Sequence, residues 1–180
     1  MCVTAKSVPD DRYGVSRDRA RQVGGPATKQ FPEAIEAAQT AIALDPNSAN
    51  GYSAMGRAEA VLGRCEQSIA HTQQAFALSP RDPFSGIWYL HLGYAEICRG
   101  RLDAAIEQFK RAIYSGNPTY ITYALLAGAE AAKGNDAEAK LALAEARRLN
   151  PQLTIKWLLT ERPTPSIVID GLRKAGLPEE

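Results

Sequence analysis

The chain has 180 residues, of which 45% are hydrophobic and 23% are charged, a composition typical of a globular domain. Lysines and arginines number 21 against 20 aspartates and glutamates, so there is almost no net field to attract phosphate backbones or anionic lipids. We therefore expect neither a nucleic acid nor a membrane surface as a partner.

The amino-terminal residues and the cysteines give information about the cellular compartment of the protein. Residues 1–16 lack the apolar stretch of a secretory signal, and no apolar run is long enough to span a bilayer. Cys2, Cys65 and Cys98 are odd in number and far apart, with no spacing that suits a metal site or a redox pair. The sequence therefore predicts a cytoplasmic protein with three reduced thiols.

Residues 1–29 are the first segment of the chain. Pro9, Gly14, Gly24, Gly25 and Pro26 lie among scattered charges, without the alternation of apolar and polar residues that marks a strand. We expect this segment to be irregular.

From residue 30 onward, one spacing recurs along the chain. Pro46 and Pro80 are 34 residues apart, and the same separation relates several pairs of small or apolar residues: Ala41 and Ala75, Ala105 and Ala139, Phe109 and Leu143, Ala112 and Ala146. Three extra residues interrupt this register between positions 81 and 85. A fixed period of this length indicates a repeat architecture.

Each repeat unit has two amphipathic halves that are separated by a helix breaker. Gly63, Gly100 and Gly134 occupy equivalent places between the halves, where a glycine can end one helix so that the next folds back. Each unit is therefore predicted to be a helical hairpin. Before the first full unit, residues 34–46 match only the second helix of a hairpin.

The residues at fixed positions resemble the tetratricopeptide repeat. In the clearest copy, the residues that carry the resemblance are Tyr89, Leu92, Gly93, Ala105, Phe109, Ala112 and Pro118. The resemblance implies an all-α, right-handed α-solenoid of antiparallel helix pairs, with about three full repeats and a partial first repeat. The array would cover residues 30–151, and residues 152–180 would form C-terminal capping helices and a tail.

A second resemblance concerns the run at residues 79–84 with Trp88 and Tyr89, and the closing residues 171–179. These segments look like the C-terminal repeat region of bacterial class III adenylate and guanylate cyclases. In that family the catalytic domain precedes the repeats, and residues 1–29 do not supply one. The resemblance implies an alternative function as a regulatory cyclase fragment that lacks its catalytic domain.

Stacked hairpins form a curved array whose first helices line the hollow side. By repeat geometry, the candidate groove residues are Asn50, Ser53, Arg57, Ile87, Leu90, Tyr94, Ile97, Ile121 and Ala124, with Gly128 and Ala131 further along. One interpretation is a groove for an amphipathic or extended peptide. The other is that the chain's own C-terminal segment fills or caps this surface. The sequence leaves both open.

No catalytic, cofactor or metal site is expected. His71 and His91 lack partners at ligand spacing, and the sequence contains no nucleophile elbow and no phosphate-binding loop. The predicted function is a non-catalytic scaffold that binds a protein or peptide in its groove. Apolar residues near Phe31 and Ile35, in the incomplete first unit, offer a surface for self-association.

Overall fold

The computed structural model describes residues 23–24 and 31–180. The helices and strands of this part, in chain order, are β1 (Val23–Gly24), α1 (Phe31–Leu44), α2 (Ala49–Val61), α3 (Cys65–Leu78), α4 (Ser85–Cys98), α5 (Leu102–Tyr114), α6 (Tyr120–Lys133), α7 (Asp136–Leu149), α8 (Ile155–Glu161), β2 (Thr164–Pro165) and α9 (Ser166–Ala175). The predicted all-α solenoid is confirmed. Helices α2–α3, α4–α5 and α6–α7 are the three full hairpins, and α1 is the partial first unit.

The turns of the hairpins form where the sequence places glycines. Gly63, Gly100 and Gly134 have φ values of 75°, 75° and 97°, a left-handed backbone that a side chain would disfavour. At the opposite end, the Ser48 side chain accepts a hydrogen bond from the Gly51 amide and so caps α2. The glycines fix where the first helix of each hairpin ends, and the Ser48 cap fixes where α2 begins.

Close contact between the two helices of a hairpin explains the small residues at fixed positions. In the second repeat, a Cβ added to Gly93 would collide with the ring of Phe109, and Phe109 and Ala105 are fully buried. The same helices present Trp88, 1% exposed, to the interior. Small and large residues therefore alternate so that the helices interlock at native density.

The C-terminal segment packs on the last hairpin. Helix α9 lies against α6 so closely that a Cβ on Gly171 would collide with the backbone of Gly128. Val168 and Leu172 also lie beside Gly128, and Lys174 Nζ donates a hydrogen bond to the Ala131 carbonyl at 3.3 Å. The predicted C-terminal capping helix is thus present, and it covers the inward face of α6.

The two strands form a single antiparallel pair. Val23 is opposite Pro165, and Gly24 is opposite Thr164. Strand β1 lies within residues 1–29, which were predicted to be irregular, and the rest of that segment is outside the described residues. Its contribution here is to join the amino-terminal side of the chain to the turn before α9.

The prediction of reduced thiols is wrong for Cys65 and Cys98, which form a disulfide with a Cα–Cα distance of 5.6 Å. Their separation of 33 residues is close to one repeat period, so stacking brings the start of α3 beside the end of α4. Spacing along the chain hides this proximity, because it arises only when neighbouring hairpins stack. Cys2 lies outside the described residues.

The partial first unit, helix α1, also differs from expectation. Phe31 and Ile35 are 4% and 8% exposed, and they pack in a cluster with Met55, Ala58 and Val61 of α2. The apolar surface expected at Phe31 and Ile35 is therefore covered within the chain. Self-association through this unit stays a prediction without that support.

Candidate functional site

Two adjoining cavities lie on the hollow side of the array, where α2 and α4 meet. The first, called the apolar cavity, has a volume of about 380 Å³ and is lined by Phe31, Ala34, Asn50, Ser53, Ala54, Arg57, Ala58, Phe84, Ile87, Trp88 and His91. The second, called the arginine cavity, has a volume of about 280 Å³ and is lined by Arg57, Val61, Ile87, Leu90, His91, Tyr94, Asn117, Thr119, Tyr120, Ile121, Arg162 and Pro163. Arg57, Ile87 and His91 line both, so the two cavities form one continuous groove.

The apolar cavity owes its character to three helices. Helix α1 contributes Phe31, α2 contributes Ala54 and Ala58, and α4 contributes Ile87 and Trp88. Phe84, which is 56% exposed, projects from the turn before α4, where the three-residue insertion falls. The cavity is large enough for an apolar side chain, and a side chain that enters it would displace the water on its apolar walls.

The arginine cavity combines repeat residues with residues of the C-terminal segment. Arg57 comes from α2 and Tyr94 from α4, whereas Arg162 and Pro163 follow α8. Burial raises the pKa of the Tyr94 hydroxyl above its usual value, although Arg57 and Arg162 oppose this effect. Tyr94 therefore keeps its proton at neutral pH and can donate a hydrogen bond.

The structure brings together most, but not all, of the predicted groove residues. Those that line the two cavities are Asn50, Ser53, Arg57, Ile87, Leu90, Tyr94 and Ile121. Ile97 and Ala124 do not line them, because they are 0% and 1% exposed within the hydrophobic core. Further along, Gly128 and Ala131 lie under α9.

The two interpretations of the hollow side thus apply to different stretches of it. On α6 the C-terminal helix α9 covers the inward face, as the capping interpretation predicts. On α2 and α4 the same segment comes only as far as Arg162 and Pro163, at the edge of the groove. Among residues 23–24 and 31–180, the groove between α1 and α8 is the stretch of the hollow side that α9 leaves open.

Several lining residues were missed by the sequence analysis. Phe31, Phe84 and Trp88 carry no repeat signature that separates a cavity wall from ordinary core. Arg162 lies after the array, and only the path of α8 brings it beside Arg57. A basic residue in a capping segment gives no indication in the sequence of which repeat it will face.

His91 lies between the two cavities and is a buried, neutral histidine. Its Nδ1 shares a hydrogen bond with Ser53 Oγ at 3.0 Å, and the side chain is 7% exposed. Burial, together with the positive charge of Arg57, lowers the pKa of His91 to about 3, while the hydrogen bond with Ser53 opposes this shift. Its role is to position Ser53 and the walls of the groove.

This burial predicts a pH-dependent stability. In the unfolded chain a histidine binds a proton below about pH 6.5, whereas folded His91 resists protonation down to about pH 3. Its contribution is therefore complete above pH 6.5 and is lost as the pH falls through that window. Between pH 7 and pH 5, we expect wild type to lose about 2 kcal/mol more unfolding free energy than His91→Gln, as measured by urea denaturation. Equal losses in the two proteins would contradict the assignment.

A third cavity lies on the outer side of the last hairpin. This outer cavity has a volume of about 240 Å³ and is lined by Lys110, Tyr123, Leu126, Glu130, Glu138, Leu141, Ala142 and Glu145. Two of its charged residues form an ion pair with each other, since Lys110 Nζ lies 2.8 Å from the buried carboxylate of Glu130. Leu141, which is 72% exposed, makes this surface a useful comparison for the groove.

Chemistry that would need a metal has no visible site in the described part of the chain. Within residues 23–24 and 31–180, no group of three or more histidine, cysteine, aspartate or glutamate side chains could hold a metal ion. Over the same residues, no helix is both long and apolar enough to cross a bilayer.

Comparison with known proteins agrees with this geometry. Residues 53–119 match the sequence model of a tetratricopeptide repeat family. This stretch of the chain is thus similar to tetratricopeptide repeats. The matched segment begins in α2 and ends just before α6, so it contains both helices α4 and α5 and most of the groove wall.

One curated relative carries the same type of repeat. The small glutamine-rich tetratricopeptide repeat-containing protein 2 of Mycosarcoma maydis is 31% identical over 107 residues, which are 58% of this chain and 30% of that protein. The chain described here thus spans about a third of the relative's length. The resemblance to the cyclase C-terminal region stays a prediction, since neither the family model nor this relative speaks to it.

Among solved structures, the crystal structure of MamA is similar in fold. The two structures superpose with a TM-score of 0.58 over 81% of this chain and 86% of MamA, at 21% sequence identity. At this identity the likeness concerns the tetratricopeptide fold alone. It supports the α-solenoid architecture derived above.

Proposed function

We propose that this chain is a non-catalytic scaffold that binds a peptide segment of another protein in the groove formed by the apolar cavity and the arginine cavity. The observation that carries the proposal is a stretch of hollow surface on α2 and α4 that the described residues leave uncovered, beside a stretch on α6 that α9 covers. Tetratricopeptide repeats are interaction scaffolds in general, which supports the same function.

The groove offers the two kinds of contact that peptide recognition needs. An apolar side chain would gain by leaving water for the cavity beside Trp88 and Phe31. Arg57, Tyr94 and Asn117 supply polar groups that would fix the orientation of the bound segment. Because Ile87 lines both cavities, any peptide that fills the groove must contact it.

Ile87 and Leu141 provide a matched pair of variants to test the groove. Both are exposed, at 39% and 72%, so a glutamate at either position should leave the fold intact. Peptides enriched from a phage-displayed 12-residue library on the full wild-type chain would be synthesised, and their affinities would be measured by isothermal titration calorimetry. We expect Ile87→Glu to weaken binding about tenfold or more, because it places a charge in the apolar wall.

The variant Leu141→Glu is the control, because it adds the same charge at the outer cavity. It should change the affinity less than twofold, and circular dichroism should show both variants to be as helical as wild type. Loss of binding in Leu141→Glu, with full binding in Ile87→Glu, would move the binding site to the outer cavity and refute the groove.

A further inference from the structure

The arginine cavity contains two guanidinium groups that have no carboxylate partner among the described residues. Arg57 and Arg162 both line it, and within residues 23–24 and 31–180 neither side chain has a hydrogen bond or an ion pair with a carboxylate. Of the other eight arginines in the described part of the chain, Arg99, Arg111, Arg148 and Arg173 form ion pairs within that part and the other four do not. Arg173 Nε lies 2.8 Å from Glu179, and Arg148 Nε lies 2.9 Å from Glu145.

The two unpaired cations also disfavour each other. Burial lowers the pKa of Arg57, and the positive charge of Arg162 adds to this effect, while Tyr94 opposes it. Like charges in a half-buried site raise the free energy of the empty cavity, because little water is present to screen them. A bound anion would remove this repulsion and would form charge-assisted hydrogen bonds with both groups.

A ring contact positions the Arg57 guanidinium within the groove. The Arg57 guanidinium carbon lies 5.6 Å from the centre of the Phe31 ring, a cation–π contact that holds the side chain across the floor of the groove. Tyr94, which keeps its proton, adds a neutral donor at the same place. The cavity thus presents several donors and no described carboxylate, which is complementary to a carboxylate ligand.

We propose that the arginine cavity binds the carboxylate of an aspartate or glutamate side chain in a peptide whose neighbouring apolar side chain fills the apolar cavity. This inference rests on the proposed function and specifies the chemistry of its partner. The anion site is shared between the repeats, which provide Arg57, and the C-terminal segment, which provides Arg162. The capping segment therefore completes the binding site as well as covering the end of the array.

The test uses the peptides enriched on the full wild-type chain, synthesised with amidated C-termini so that only side-chain carboxylates are available. We expect these peptides to contain aspartate or glutamate next to an apolar residue. Arg57→Gln and Arg162→Gln should each weaken binding about tenfold or more, because each removes a charged hydrogen-bond donor. The matched control is Arg147→Gln, on the exposed face of α7, which should bind within twofold of wild type.

A double-mutant cycle then identifies the contact. Replacing the acidic residue of the peptide by its amide should weaken binding to wild type, and it should abolish the further effect of Arg57→Gln and Arg162→Gln. The advantage of the acidic peptide should also shrink as salt rises from 50 to about 500 mM, since ions screen the pair.

Failure of this inference is distinguishable from failure of the groove. Peptides that bind wild type, are lost in Ile87→Glu and are indifferent to Arg57→Gln and Arg162→Gln would overturn the carboxylate site and leave the groove in place. Binding only with a free C-terminal carboxylate would overturn the assignment to a side chain. A dimeric mass in sedimentation that becomes monomeric in Arg57→Gln would show that a second copy supplies the anion, and would overturn the separate peptide partner.

Discussion

Replacing Cys65 and Cys98 together by alanine is expected to lower the free energy of unfolding by about 2–4 kcal/mol. The disulfide joins residues 33 positions apart, so in the unfolded chain it closes a loop that the variant leaves open. It also links α3 of the first full repeat to α4 of the second, across the interface that carries the groove. Urea denaturation followed by circular dichroism measures the loss.

The reduced wild type is the internal control for this prediction. Adding a reductant that opens the disulfide should bring the unfolding midpoint of wild type down to that of the double variant, and should leave the variant unchanged. Equal midpoints for oxidised wild type and variant would contradict a stabilising role. Because a solenoid is held together by contacts between neighbouring repeats, the loss should concentrate in the first two hairpins.

The disulfide also changes the argument about compartment. The cytoplasmic location predicted from the sequence rested partly on three reduced thiols. Disulfides persist mainly in oxidising environments such as the periplasm or the exterior of the cell, so that part of the argument no longer holds. The location therefore stays a prediction whose support is weaker than the sequence indicated.

Periodic features were the part of the fold that the sequence predicted well. The glycines at 63, 100 and 134 mark each hairpin turn, and Gly93 opposite Phe109 fixes the contact between two helices. These features repeat with one period, so each copy supports the others. They also depend on neighbours within the same hairpin, which a local pattern can reveal.

Features that depend on one particular long-range contact were not predictable. The path of the C-terminal segment decides which groove residues stay accessible, and nothing in its sequence says that Gly171 will lie on Gly128. The same path brings Arg162 to Arg57. Ile97 was assigned to the groove by its place in the repeat, yet it is fully buried in the core. The repeat register predicts which residues of a helix face the hollow side of the array. Whether such a residue is buried depends on which other segment packs over it.

Truncating Leu172 to alanine should have the largest effect on stability among the variants considered, about 2–5 kcal/mol. Leu172 is 0% exposed, and it lies in α9 beside Gly128 of α6. The substitution leaves a cavity at the contact that holds the capping helix on the last hairpin. Urea denaturation gives the free energy, and hydrogen exchange should show the backbone amides of α9 opening faster than those of α4 and α5.

Leu159→Ala is the matched control for this contact, since Leu159 lies in the same C-terminal segment but is 39% exposed. Its loss should stay below about 1 kcal/mol, because the surface can fill the space with water. If both variants lose equal stability, or if α9 exchanges no faster in Leu172→Ala, then α9 does not hold the end of the array. Because α9 and Arg162 belong to one segment, a loosened α9 should also weaken peptide binding at the arginine cavity, whereas Leu159→Ala should not.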